Sequence, residues 1–531
     1  MPTLPATVRR RLVPWSLVLA VVSLAAAWTV ASPVGGTPDE SAHIDYAWAV
    51  ATGQTLPWTE KVNVDENGTW LTDVEVPVGL GEYEDTTCYA GDATASPTCG
   101  WVPSSDATAL VRRGTYMTRY PPLYYAIEGV VLRTGLEAGL SGHRTLLAAR
   151  FISGLMSLGM ITGAAVVLRR RFPGPAVAIA LLAGLTPVAL SLATAINPNG
   201  FEISAAVLSA ALVVAVRHDH TRTGRVGTGL LTGLVAVSVA LTWTRPLSLV
   251  WSVLLLGVLL MPGGPVPSLL RSRRGRIGAV LVGVTVAGAA AWLLFARQTR
   301  TIGQEDGAAD WSTFGAPMKA IMTTLKFGDL LQQMIGFLGW DTTLPGFVVL
   351  GWALTTMLAV TALTTGAVRA STRTRDALLF GAASCAAVSG YTFLTAFGWQ
   401  GRYLLPAVAA TLVLLVPSMQ GRALGGATRA RAGLATAVFL LLTQLGALVW
   451  WLWRYMYGVD PYYKRFSSLP LPSPPIGWFP PLGQVVIIAL GVVGVAALGY
   501  GLLGTMQSSR MITADADATD AAPHGPDRPL S

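Results

Sequence analysis

Long apolar stretches separated by short polar connections run through the chain almost from end to end. A helix of about 20 apolar residues crosses a bilayer, because each residue adds about 1.5 Å toward a hydrocarbon core about 30 Å thick. The pattern therefore predicts an all-α polytopic membrane protein with about 12 transmembrane helices. The predicted spans are residues 12–31, 146–168, 175–193, 201–216, 226–243, 246–261, 277–296, 345–367, 377–396, 403–418, 434–453 and 483–505.

The composition supports the same class. Hydrophobic residues make up 52% of the chain and charged residues 12%, a balance that soluble domains do not have. The formal net charge of +9 could suggest a nucleic-acid partner. The arginines, however, lie in short loops between the spans, so we expect no nucleic acid, and the charge instead reports the orientation of the chain in the membrane.

Arginine clusters occur at every second connection between the predicted spans. Cytoplasmic loops carry an excess of Lys and Arg, so the clusters place these connections and both termini in the cytoplasm. The first span could instead be a cleaved signal peptide, but its apolar run is longer than the usual 7–15 residues, which favours a retained helix. The clusters are residues 9–11, 169–171, 217–225, 271–276, 369–375 and 422–431.

One transmembrane domain, residues 1–505, is expected to carry three long exterior loops at 32–145, 297–344 and 454–482. The first and largest loop should contain short helices. It also holds Cys88 and Cys99, which we expect to form a disulfide because the exterior is oxidising. Residues 506–531, rich in Ala, Asp and Pro, predict a disordered cytoplasmic tail.

The most unusual polar run is TPDESAH at residues 37–43, directly after the first span. On a helix starting at Pro38, Asp39 and His43 share a face and Glu40 lies one step around, a geometry suited to acid–base chemistry or metal binding. The same run also reads as a capping box from Thr37 to Glu40, with Pro38 at the first helical position. Capping leaves His43 unexplained, so both interpretations stay open.

Further unusual polar residues recur at the outer ends of the predicted spans. Each has an ordinary explanation as a turn, a headgroup-seeking arginine or part of the aromatic belt. All of them nevertheless fall on one side in a topology derived without them, which favours a single outward-facing polar site. They are the motifs YMTRYPPLYY at 116–125, NPNG at 197–200 followed by Glu202, TWTRP at 242–246, GWD at 339–341 and WQGRY at 399–403.

The order PDExxH, YPPLYY, NPNG, TRP and QGRYLLP resembles a bacterial membrane-protein family, domain of unknown function 2142 (DUF2142), often described as predicted membrane glycosyltransferases. That family is similar to the GT-C superfamily of polytopic transferases. The resemblance covers residues 12–505. Thr37 stands where members often have a second proline, and Asn199 stands where many have Asp, which argues against a catalytic carboxylate at 199.

The resemblance implies transfer of a sugar from a polyprenyl-phosphate donor to a glycan, lipid or protein acceptor of the cell envelope, on the outer face of a bacterial plasma membrane. An acceptor hydroxyl must lose its proton as it attacks the anomeric carbon, which calls for a carboxylate base. Asp39 or Glu40 could be that base. His43 could orient the base, or join both carboxylates around a divalent metal such as Mg or Mn.

The leaving lipid phosphate gains negative charge and needs cationic donors, for which the guanidinium fork is well suited. Arg119, Arg245 and Arg402 are the candidate phosphate-binding residues. Side chains with hydroxyl-binding or ring-stacking capacity make up the rest of the predicted substrate site. These are Tyr124, Tyr125, Asn197, Asn199, Glu202, Trp243, Asp341, Trp399, Gln400 and Tyr403.

Two other classes of function compete with the transferase. A transporter or flippase of a lipid-linked saccharide would also have many spans and outer arginines, but it should carry polar groups toward the cytoplasmic half of the spans. Most spans become plainly apolar there. A scaffold for envelope assembly would leave residues 39–43 and the three arginines without a common purpose.

Overall fold

Helices dominate the computed structural model, which describes residues 6–54, 62–64, 70–80, 88–89, 92–98, 108–295, 314–339, 342–365, 372–395, 399–420, 426–459 and 477–503. The helices are α1 (Ala6–Ala31), α2 (Glu40–Ala51), α3 (Leu123–Glu137), α4 (Gly142–Arg169), α5 (Ala176–Gly184), α6 (Pro187–Ala193), α7 (Pro198–Thr223), α8 (Thr228–Thr242), α9 (Pro246–Gly257), α10 (Val266–Arg271), α11 (Arg273–Phe295), α12 (Ala316–Ile335), α13 (Gly346–Thr364), α14 (Thr372–Thr395), α15 (Gly401–Leu414), α16 (Gly426–Tyr457) and α17 (Gly483–Leu503).

Every predicted span overlaps one of these helices or a consecutive pair, so the all-α polytopic membrane fold is confirmed. Within the described part of the chain, eight helices are long and apolar enough to cross a membrane, or nine if one bent pair forms a single span. The helices α8 and α9 are apolar but shorter, and α14 is not among the eight. The predicted number of 12 spans therefore stays a prediction.

The predicted span at 175–193 is a broken helix. Its two halves, α5 and α6, meet at an angle of 68°. Thr186 starts the second half by accepting a hydrogen bond from the Ala189 amide at 3.1 Å, and Pro187 occupies the first helical position. A proline there lacks the amide hydrogen that would continue the first half, so the chain turns at this point.

Helix α7 forms the centre of the bundle. In its most apolar stretch 94% of the residues are buried, against 11% for α11 at the periphery. It packs most extensively on α4 and α15, while α1 packs along α17. Gly200, at the start of α7, allows close approach to α6, because a β-carbon there would collide with the backbone of Leu192 and Ala193.

The first long loop contains the predicted short helices, α2 and α3, and also a sheet that we did not predict. Strands β1 (Val62–Val64), β2 (Trp70–Pro77) and β3 (Leu110–Thr115) form an antiparallel sheet in that order. Strand β2 pairs with β3 from Thr72 opposite Thr115 to Pro77 opposite Leu110. In the second loop, β4 (Phe337–Gly339) pairs with β5 (Thr342–Thr343).

Cys88 is disulfide-bonded, while Cys99 lies outside the described residues, so their pairing with each other stays a prediction. The predicted tail at 506–531 is likewise outside them. Cys385, on α14, is free and exposed.

Ion pairs tie the helices together at the arginine-rich end of the bundle. Arg171 pairs with Asp219 and Arg217 pairs with Asp376, each at 2.7 Å. These bridges connect the end of α4 to α7, and α7 to the start of α14.

The predicted orientation can be tested with single cysteines in a Cys385→Ser background. Arg222 and Arg274 are exposed at the arginine-rich end, and Ala138 is exposed between α3 and α4. We expect a membrane-impermeant thiol reagent to label Ala138→Cys in intact cells and to spare Arg222→Cys and Arg274→Cys until the membrane is opened. The reverse labelling pattern would show that the predicted orientation is wrong and that the polar site faces the cytoplasm.

Candidate functional site

Asp39 adopts a left-handed backbone conformation at the point where α2 begins. Its φ and ψ are 64° and 5°, and it is the single non-glycine residue with positive φ in the described chain. Such a conformation is uncommon outside glycine, although Asp and Asn adopt it more readily than most residues. It persists only where the surroundings hold it, which happens most often at functional sites.

Two interpretations of residues 37–43 are corrected by this geometry. The helix begins at Glu40 rather than Pro38, because the left-handed turn at Asp39 interrupts it. The capping box is not formed either. The Thr37 hydroxyl has no hydrogen-bond partner within the described ranges, and the residue at the cap position, Asp39, makes no side-chain capping bond. Both carboxylates are therefore free of a capping role and bind elsewhere.

The Asp39 carboxylate is held by two side chains from distant parts of the chain. Its Oδ2 accepts a hydrogen bond from Arg402 Nη2 at 2.5 Å, and its Oδ1 accepts one from the Tyr116 hydroxyl at 2.8 Å. Burial alone would raise the pKa of Asp39, but the positive charge of Arg402 and the bond from Tyr116 hold it below its usual value. Asp39 is therefore ionised at neutral pH.

Glu40 is fully engaged in a buried ion pair with Arg150 of α4. Arg150 Nε and Nη2 donate to its two carboxylate oxygens at 2.7 and 2.5 Å. The same oxygens accept the backbone amides of Ile196 and Gly35, both at 3.1 Å. Arg150 also donates to the carbonyls of Ser32 and Pro33 at 2.7 and 2.8 Å. This pair fixes the turn between α1 and α2 against α4 and the α6–α7 turn.

His43 lies one helical turn after Asp39 and is buried. Its Nδ1 is 2.8 Å from the Tyr125 hydroxyl, and its ring lies 6.1 Å from the ring of Tyr120. Burial lowers the pKa of His43 to about 3, despite the opposing influence of Asp39. The imidazole is therefore neutral at physiological pH.

Arg245 forms a second buried ion pair on the neighbouring helices. Its Nη1 donates to Glu202 Oε2 at 2.8 Å and also to Asn199 Oδ1. Its guanidinium carbon lies 5.4 Å from the ring centre of Tyr120 and 4.7 Å from that of Tyr403. These distances are within cation–π range, so Arg245 holds the two tyrosines in place.

The NPNG motif positions this second pair. The Asn197 side chain caps α7 by accepting the Asn199 amide at 3.0 Å, and its Nδ2 donates to the Pro38 carbonyl at 2.9 Å. The motif thereby links the start of α7 to the residue preceding Asp39. The side-chain oxygen of Asn199 in turn accepts a hydrogen bond from Arg245.

A cavity of about 150 Å³ opens beside Arg402. Arg402 donates a hydrogen bond from Nη2 to Asp39, whereas its buried Nε and Nη1 have no hydrogen-bond partner among the described residues. Gln333, from the end of α12, also lines the cavity and accepts the Gly401 amide at 2.8 Å. The cavity walls are largely apolar and are formed by Pro38, Val188, Leu192, Gln333, Phe337, Leu338, Gln400, Gly401 and Arg402.

Several predicted site residues lie at the edge of this cluster or behind it. The Tyr124 hydroxyl is 2.9 Å from Ser153 Oγ, behind the site. Trp243 points toward Gly288 of α11. Trp399 is buried, with its ring 6.5 Å from that of Tyr403. Arg119 is half-buried, and its carbonyl accepts a bond from Trp292 at 3.3 Å. The predicted residue Asp341 lies outside the described residues.

The metal site considered at Asp39, Glu40 and His43 is not formed in this arrangement. Across the described ranges, no three His, Cys, Asp or Glu side chains are grouped so that they could hold a metal ion. Glu40 is directed to Arg150 and Asp39 to Arg402, and a cation would have to displace both guanidinium groups.

Tyr116, Tyr120 and Arg150 were not among the predicted site residues. Arg150 could have been identified from the sequence, because burying an arginine inside the predicted span at 146–168 costs free energy unless the side chain has a specific partner. The sequence could not name Glu40 as that partner. Tyr116 and Tyr120 belong to the quoted motif at 116–125, where nothing distinguished them from Tyr124 and Tyr125.

The model of a family described as predicted membrane protein (DUF2142) matches residues 22–416. Among solved structures, the chain is similar to ArnT from Cupriavidus metallidurans bound to undecaprenyl phosphate, with 14% sequence identity and a TM-score of 0.41. That similarity covers 97% of this chain and 82% of the other. No curated protein gives a significant match. Because the family match spans well over half of the sequence and includes Asp39, Arg245 and Arg402, the chain belongs to the DUF2142 family of membrane proteins.

Proposed function

We propose that this protein is a membrane glycosyltransferase that moves a sugar from a polyprenyl-phosphate donor to a glycan, lipid or protein acceptor on the outer face of the membrane. The observation that carries the proposal is the pairing of an ionised carboxylate, Asp39, with Arg402, which lines a cavity and has two donor nitrogens without a partner among the described residues. A base and an anion-binding group thus stand side by side, as glycosyl transfer from a lipid phosphate requires.

Asp39 is the general base in this proposal. The acceptor oxygen attacks the anomeric carbon of the donor while its proton passes to the Asp39 carboxylate. The bond between that carbon and the phosphate oxygen breaks, and its electron pair stays on the lipid phosphate. Glu40 cannot take this role, because both of its oxygens are occupied by Arg150 and by two backbone amides.

Arg402 binds the departing phosphate. Its Nε and Nη1 point to different edges of the planar group, so each can donate to a phosphate oxygen, and a parallel two-point fork uses Nη2 together with one of them. Arg245 is less available, since Glu202 already balances its charge and two tyrosine rings enclose it. We therefore assign Arg245 chiefly to holding Tyr120 and Tyr403, and leave Arg119 as a further contact for the phosphate at the edge of the site.

The sugar would lie among the tyrosine rings and polar groups around Asp39. Tyr403 and Tyr120 offer ring faces, and Tyr125 orients His43 by a hydrogen bond. Gln400 is exposed and lines the cavity next to Arg402, where its amide could bind a sugar hydroxyl. The largely apolar cavity wall formed by Val188, Leu192 and their neighbours suits the first isoprene units of the lipid.

Replacing Arg402 by lysine tests the phosphate assignment. Lysine keeps the charge but loses the planar fork, so we expect kcat/KM for the lipid-linked donor to fall by roughly 1–3 kcal/mol, or about 5- to 150-fold. The matched control is Arg144→Lys, the same substitution at an arginine that is exposed on α4, whereas Arg402 is buried. Full activity of Arg402→Lys, or an equal loss in both variants, would contradict the assignment.

The same assay separates the transferase from the rival transporter or flippase. The purified chain in detergent has no membrane across which to move a substrate. A transferase still forms a covalent sugar–acceptor product under these conditions, whereas a transporter leaves the donor unchanged.

A further inference from the structure

We propose that Asp39 competes with the donor phosphate for Arg402, so that the donor must bind first and by binding releases the base for the acceptor. The inference rests on the function proposed above and adds an order of binding to it. It follows from the way the two arginines of the site are paired.

Asp39 occupies only one of the three donor nitrogens of Arg402. Its Nη2 is bound to Asp39 at 2.5 Å, while Nε and Nη1 are buried without a partner in the described part of the chain, in a side chain that lines the cavity. Buried donors without partners are costly, so an incoming anion that satisfies them gains more than it would at the surface. A phosphate that binds the guanidinium through two parallel hydrogen bonds must use Nη2 together with Nε or Nη1, so it competes directly with Asp39 for Nη2.

The two ion pairs of the site differ in how easily they can open. The Glu202 side chain is completely buried, and its other oxygen accepts the Ser248 hydroxyl at 2.8 Å. Asp39 is 19% exposed, and apart from Arg402 its carboxylate is held, among the described residues, by one hydrogen bond from Tyr116. The Asp39 pair is therefore the one that an anion can separate, and Tyr116 keeps the released carboxylate in position.

Release changes the chemistry of Asp39 in the direction that catalysis needs. In the free protein the positive charge of Arg402 lowers the pKa of Asp39 and weakens it as a base. A phosphate bound to Arg402 offsets that charge, so the pKa of Asp39 rises toward its ordinary value. The carboxylate then accepts the proton of the acceptor hydroxyl more readily, and it does so only when a donor is present.

Binding of dodecyl phosphate to the purified full-length protein in lipid nanodiscs tests the competition directly. We expect Asp39→Asn to bind this probe about tenfold more tightly than the wild type, which corresponds to 1.4 kcal/mol, because the internal competitor is gone. Arg402→Gln should bind it weakly. Asp39→Gly serves as a second variant, since glycine accepts the positive φ at this position without strain.

The matched control is Asp45→Asn, which removes one negative charge from the same helix without touching Arg402. Asp45 lies 3.5 Å from Arg113 instead. Its affinity for dodecyl phosphate should equal that of the wild type, and an equal gain in Asp45→Asn would reduce the effect to net charge and overturn the competition.

Two further outcomes separate this inference from the proposed function. Equal binding by the wild type and both Asp39 variants, lost in Arg402→Gln, would overturn the competition and leave the phosphate site standing. If no variant showed binding that depends on Arg402, the phosphate site and the competition would fall together.

Discussion

Asp39→Asn is expected to lower the rate of sugar transfer by about 10²- to 10⁴-fold, the range for loss of a general base, while the protein remains folded. Asparagine is nearly the same size and tolerates the left-handed backbone at this position, and its one side-chain oxygen can still accept the hydrogen bond from Tyr116. What it loses is the capacity to take a proton from the acceptor. The measurement is single-turnover transfer of labelled sugar with saturating donor.

Asp45→Asn provides the control for this result. Asp45 is a buried acid on the same helix, but it lies 3.5 Å from Arg113, whereas Asp39 is bound to Arg402. It should retain most of the wild-type rate. Similar mild effects from both substitutions would show that Asp39 is not the general base. Similar severe effects would indicate that α2 as a whole is sensitive to the loss of an acidic side chain.

Glu40→Gln should have the largest effect on stability. The substitution leaves the charge of Arg150 buried without its counter-charge, and breaking a buried ion pair in this way costs about 3–5 kcal/mol. Because the pair also fixes the turns at Gly35 and Ile196, the loss should appear as a lower thermal transition in detergent and as weaker expression. The double variant Glu40→Gln, Arg150→Gln should be more stable than the sum of the single losses predicts.

A solvent-exposed pair in the same protein is the reference for that measurement. Arg133 and Glu137 lie 2.7 Å apart on α3, but their side chains are 52% and 60% exposed. Glu137→Gln should therefore change stability by less than about 1 kcal/mol. Equal shifts in Glu40→Gln and Glu137→Gln would show that the Glu40 pair does not hold the site together.

The helices of the bundle could be predicted from the sequence because each one satisfies its backbone hydrogen bonds within a single apolar run. The family resemblance, read from motifs at the ends of these runs, is confirmed by the match over residues 22–416. The break between α5 and α6 was missed even though Thr186 and Pro187 form a recognisable helix start. Strand β2 was also missed, although buried Val74 and Val76 alternate with exposed Glu75.

The internal arrangement of the site could not be predicted from local sequence. Asp39 and Glu40 are adjacent, yet one binds Arg402 and the other Arg150, at sequence separations of 363 and 110 residues. The left-handed residue Asp39 is where the chain directs two neighbouring carboxylates to different arginines. The sequence predicted that Asp39, Arg245 and Arg402 belong to one site, but it could not divide the two arginines between their carboxylate partners.

Sugar transfer by the purified protein tests the central claim most directly. Wild-type protein and Asp39→Asn would be incubated with radiolabelled sugars linked to polyprenyl phosphate and with an extract of envelope acceptors, and the labelled products would be separated from the donor. We expect a product that appears with the wild type, increases with time, and forms at least about a hundredfold more slowly with Asp39→Asn. Equal product formation by the two proteins, or donor that remains intact with the wild type for every sugar supplied, would contradict it.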